Sequence, residues 1–148
     1  MKKVLLLAVM AILISSCESK FDKSVKALSK GIWITSSQKN LNSGNYVPKL
    51  FKESEKKIHK FSDNKIYVYN SNGNFENVFG YEKTNDNGKL KIAVKNLFSY
   101  NKEEYTVIVN DFMLVLIGGN EGSLNQIDFK LLRNDKLKSK LFQSNLEK

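Results

Sequence analysis

Lys89-Leu90-Lys91-Ile92-Ala93-Val94-Lys95 alternates in character, with Leu90, Ile92 and Val94 on one side and Lys89 and Lys91 on the other. Successive side chains of a β-strand point to opposite faces, so this spacing predicts a strand with one buried face and one wet face. Working outward, similar short runs recur between clusters of Asn, Asp, Gly and Ser, as in an antiparallel meander. Strands are expected at 31–37, 57–61, 65–69, 74–84, 89–95, 105–109, 112–117 and 124–132. The turns between them at Ser62-Asp63-Asn64, Asn85-Asp86-Asn87-Gly88 and Asn110-Asp111 carry residues that tolerate the positive φ of tight hairpins. The single proline, Pro48, falls in the long 38–56 connection, outside any expected strand.

Eight short antiparallel strands joined mostly by hairpins close economically into an up-and-down barrel, which removes the exposed edges of an open sheet. The fold class expected is therefore all-β, a small eight-stranded antiparallel barrel. Phe21, Val25 and Leu28 recur at helical spacing among Lys20, Lys23, Lys26 and Lys30, predicting a short amphipathic helix before the first strand. That helix either lies on anionic lipid or covers a barrel end. In Phe112–Ile117 every position is apolar, so Phe112, Leu114 and Leu116 are expected inside, while Met113, Val115 and Ile117 need cover from a terminal helix, a partner or the membrane. The C-terminal segment 134–148, as a helix presenting Leu137, Leu141 and either Phe142 or Leu146, is the simplest cover; a frayed tail is the alternative.

The N-terminus reads differently. Met1-Lys2-Lys3 is positive, Val4 to Ile14 is an apolar run, and Ser15-Ser16 are small, which are the three parts of an export signal. Ile14-Ser15-Ser16-Cys17 resembles the lipobox of bacterial lipoproteins. That resemblance implies removal of residues 1–16, a diacylglyceryl group on the Cys17 thiol and attachment to a bacterial envelope membrane. The covalent lipid on Cys17 is the only non-protein group expected, and no cofactor or metal is. Cys17 is the single cysteine of the chain, so no disulfide and no thiolate zinc site forms within one copy. Residues 17–30 then serve as tether and helix, and 31–133 as the barrel.

Loss of Lys2 and Lys3 takes the net charge from +9 to +7. The positive charge is almost all lysine, with Arg133 the one arginine, whereas readers of nucleic acid lean on arginine for bidentate contacts. Solvated faces, with some attraction to lipid headgroups, account better for the balance than nucleic acid does.

From residues 25 to 133 the chain resembles the lipocalin-like domains of small bacterial lipoproteins. A short helix leads to Gly31-Ile32-Trp33, similar to the Gly-x-Trp opening of lipocalins, and Leu131-Leu132-Arg133 closes the last strand. The resemblance implies that Gly31, Trp33 and Arg133 close the barrel bottom, with Arg133 packed over Trp33. It also implies a lumen lined by Trp33, Phe61, Tyr81, Leu90, Ile92, Tyr105, Val107, Leu114, Leu116 and Phe129, which would hold a small hydrophobic ligand. The chain is shorter than long lipocalins and lacks their disulfide cysteines, which leaves open a barrel filled by its own side chains and acting through a protein partner. Tyr67 and Tyr69, on the phase opposite to Ile66 and Val68, read as outer contacts or as lumen residues.

Catalysis finds little support. His59, flanked by Lys56, Lys57 and Lys60, reads as a surface histidine with no adjacent nucleophile or acid motif. Glu53, Glu55, Glu103 and Glu104 read as solvated charges, and Gly118-Gly119 and Gly122 lack the lysine and strand-loop-helix setting of a phosphate loop.

Overall fold

A computed structural model describes residues 18–42, 47–96, 102–120 and 123–143. Helix α1 spans Lys20–Lys30. Its start is fixed by Ser19, whose hydroxyl oxygen accepts from the Asp22 amide at 3.1 Å, and by Asp22 itself in the first turn, where a carboxylate suits the helix dipole. Nine strands follow: β1 (Ile32–Asn40), β2 (Lys49–Leu50), β3 (Lys57–Ser62), β4 (Lys65–Asn70), β5 (Phe75–Asp86), β6 (Lys89–Asn96), β7 (Lys102–Val109), β8 (Met113–Gly119) and β9 (Asn125–Leu131). Helix α2, Asp135–Gln143, comes last.

Every neighbouring pair is antiparallel, and β1 pairs with both β3 and β9, so eight strands close into a barrel while β2 adds a two-residue edge to β1. The seam is made possible by an irregularity in β1. Thr35 stands opposite Phe129, but the next partner of β9 is Ser37, opposite Asp128, leaving Ser36 as the extra residue. Such a bulge bends its strand and increases its twist. Where β1 parts from β3, the Thr35 hydroxyl spans the gap, accepting from the Lys57 amide at 2.8 Å and donating to the Lys57 carbonyl at 3.3 Å.

The turns form as their residues require. Asp63, Asn64 and Asn87 take positive φ, and the Asn110 side chain accepts from the amides of Phe112 and Met113, each at 2.9 Å. Register places the Asp63-Asn64 and Asn110–Phe112 turns, the start of β1 and the end of β9 at one end of the barrel, here called proximal. Helix α1 covers this end, contributing Leu28, Val25 and Phe21 to the interior.

A second apolar cluster lies outside the barrel wall: Ile32, Ile58, Tyr69 and Leu132 are covered by Leu141 and Leu137 of α2. The helix is pinned at its far end by Lys140, whose Nζ donates to the Asn72 carbonyl and to Asn74 Oδ1, both at 2.9 Å. The expected use of the C-terminal segment is thus corrected in place: α2 covers β1, β3 and β4, and leaves Met113 of β8 exposed. Phe112 is corrected too, since it sits in the turn, 65% exposed, and not in the lumen. The Asn110 side chain holds that turn outside the ladder, so the strand phase does not reach Phe112.

Gly73 shows how closely α2 is seated. Its φ is +79°, and a Cβ there would stand 2.6 Å from Leu137 Cδ1. Gly73→Ala is expected to lower stability by about 1–2 kcal/mol through backbone strain alone, with the helix contact adding to it. Urea unfolding followed by circular dichroism measures the loss.

Candidate functional site

All ten side chains expected in the lumen belong to a single buried cluster, with exposures between 0% for Leu114 and 8% for Tyr105. The same cluster contains Leu28, Ile66 and Val68. Ile66 stands directly opposite Phe61 across the β3–β4 hairpin, so its phase followed from that of Phe61. Leu28 could be placed only once α1 was known to enter the barrel end. Tyr67 and Tyr69 lie in the outer cluster, the first of the two readings open from sequence.

Trp33 is the centre of the proximal end. Its indole Nε1 donates to the Leu28 carbonyl at 3.1 Å, satisfying a donor that is 1% exposed with its ring. The ring lies so close to Gly31 that a Cβ there would come within 2.3 Å of Cε2. Glycine is required here for space. Arg133 takes no part in this packing and is corrected: it is exposed, and its guanidinium carbon lies 5.9 Å from the Phe112 ring centroid. Strand β9 ends at Leu131, and the Leu132 amide then donates to the Ile32 carbonyl at 2.8 Å. The period-two phase therefore stops short of residue 133.

The interior also carries polar groups. The Tyr105 hydroxyl donates to the Glu103 carboxylate, and burial followed by that acceptor pushes its pKa up. Tyr81 meets Phe61 edge-on at 5.7 Å, and burial, with the Asp63 charge behind it, raises its pKa as well. Neither phenol is suited to ionise. His59 is corrected from a surface position: it shares the inward phase of Phe61, and its ring meets Phe129 edge-on at 5.1 Å. Its Nδ1 is buried with no hydrogen-bond partner among the described residues. Burial lowers its pKa to about 4, against smaller opposing effects of the Lys57 backbone and the Glu76 carboxylate. The imidazole is neutral at pH 7. The sequence signal was available, because His59 lies two residues before Phe61, but the flanking lysines masked it.

The lining side chains are almost wholly withdrawn from water, the most exposed of the ten retaining only 8% of its surface. Packing of this kind leaves the proximal half occupied by protein. Among the described residues, concave apolar surface lies on the outer wall, where Ile34, Phe112, Met113, Leu131, Leu132 and Arg133 border a groove of about 600 Å³. It adjoins a second hollow of about 570 Å³ that shares Ile34 and Met113 and adds Leu50 and Phe51. Cys17 and the signal segment 1–16 lie outside the described residues, and neither α1 nor α2 is long and apolar enough to cross a membrane.

Comparison with known proteins finds no matching family model, no matching curated protein and no matching solved structure.

Proposed function

We propose that the chain is a non-catalytic bacterial lipoprotein, exported and held at the cell envelope by lipid on Cys17, whose lipocalin-like barrel works through its outer wall by contact with another protein. The observation that carries this reading is the packed proximal half of the interior, where ten inward side chains are at most 8% exposed, so an apolar ligand there would have to displace them. The lipobox-like Ile14-Ser15-Ser16-Cys17 supports the anchor, and two or more acyl chains suffice for stable attachment.

A second reading, carriage of a small hydrophobic ligand, keeps one specific support. The buried, unpartnered Nδ1 of His59 is a hydrogen-bonding group left over for an orienting contact, and the half-buried Phe79, Val94 and Ile127 border the inner cluster. Native mass spectrometry of residues 18–148, together with fatty-acid titration read by Trp33 fluorescence and melting, separates the two. The expected result is an unliganded mass and an unchanged melting temperature. A co-purifying lipid would overturn it, as would a rise of several degrees, because a ligand at 100 times its Kd stabilises the folded state by about 2.7 kcal/mol.

A further inference from the structure

The apolar side of α1 is used inside the barrel, where Phe21, Val25 and Leu28 join the inner cluster. Its other side, with Lys20, Lys23, Lys26 and Lys30 exposed, therefore faces away from the proximal end. Glu18, paired with Lys26 at 3.5 Å, and Asp22 leave residues 18–30 at a net +2. At this same end the Asn110–Phe112 turn projects Phe112, 65% exposed, with the Arg133 guanidinium alongside its ring. An aromatic ring paired with a cation suits the boundary between headgroups and acyl chains. The chain also delivers this end to a membrane, because α1 starts three residues after Cys17.

We propose that the proximal end is a seat for an anionic phospholipid surface, with the four α1 lysines on headgroups and Phe112 beside Arg133 at the interface. The inference rests on the reading of Cys17 as a lipid anchor and adds an orientation to it. The barrel stands upright on its plugged end, and the distal rim faces away from the bilayer.

The test uses the full chain purified from the membrane of an expressing cell, whose intact mass reads the lipid on Cys17. The anchored chain is placed in nanodiscs of phosphatidylcholine, with or without phosphatidylglycerol, and amide exchange is compared. Slower exchange at Asp111 and Phe112 in the anionic discs is expected, with no change at the distal Ser71–Gly73 turn. Changing Lys20, Lys23, Lys26 and Lys30 to Gln should remove the difference without altering the melting temperature. Equal exchange in both discs, or slowing at the distal turn instead, overturns the seat while leaving the anchor intact.

If Cys17 carries no lipid, the anchor reading fails separately, and co-sedimentation of the chain with anionic vesicles still reads the seat. There the four-lysine variant should partition at least about tenfold more weakly, and binding should vanish at 1 M salt, where the Debye length falls to about 3 Å. Phe112→Ser, which alters no buried residue, should weaken partitioning at low salt; no sedimentation of the parent chain overturns the proposal.

Discussion

Trp33→Ala is expected to lower the unfolding free energy by about 3–5 kcal/mol, the range found when a fully buried large aromatic is truncated. The ring is 1% exposed, rests against Gly31 and satisfies its Nε1 through the Leu28 carbonyl. Removal would open a void where the first strand, the plugging helix and the floor of the lumen meet. It would also leave the last turn of α1 without its cross-link to β1. For a domain whose total stability is of order 5–15 kcal/mol, that is a large share. Urea titration monitored by circular dichroism gives the value, with Arg133→Gln as the contrast. Arg133 is exposed and lies over Phe112, so its substitution should stay within about 0.5 kcal/mol, as for other surface positions. A large effect at Arg133 and a small one at Trp33 would contradict the packing described.

Acidification should reveal His59. Its folded pKa of about 4 lies below the ordinary 6.5, so the unfolded chain takes up the proton first as pH falls. The stability that the neutral ring contributes is complete above pH 6.5 and is lost progressively down to about pH 4. The loss amounts to about 3 kcal/mol, from 1.36 kcal/mol for each unit of difference. Glu55, Glu82 and Asp86, which hold lowered pKa values through hydrogen bonds and nearby lysines, titrate below 4.5, so the upper part of the window belongs to the histidine. Unfolding free energies measured from pH 7 to 4.5 should therefore slope in the parent chain and flatten in His59→Leu. A parent profile without slope in this window would show that the imidazole takes up its proton as readily in the folded protein as in the unfolded chain.

Period-two patterning carried most of the barrel in the sequence, most plainly where the inner face of a strand is continuous and apolar. Leu90 and Ile92 on β6, and Leu114 and Leu116 on β8, were legible for that reason. It failed where local chemistry interrupts the period. Phe112 follows Asn110, whose side chain caps the turn, and Arg133 lies beyond the point where β9 leaves the ladder. Lysines beside His59 suggested water, although two of them belong to the outward phase or the strand entrance. The short β2 strand in the 38–56 connection had no apolar alternation to announce it. Placement of α2 depended on a tertiary choice between two apolar outer faces, and the Gly73 turn, which admits Leu137 closely, gives the face of β3 and β4 the better fit.

Closure between β1 and β9 has a kinetic corollary. Trp33 pairs with Leu131, 98 positions later (131 − 33), so the barrel has no complete wall until nearly the whole chain has emerged. Topologies dominated by such distant pairings fold slowly, because loop-closure entropy must be overcome before the contacts form. For the export proposed above, that delay is useful: premature closure, which would block passage through a translocation pore, is deferred until the last strand arrives.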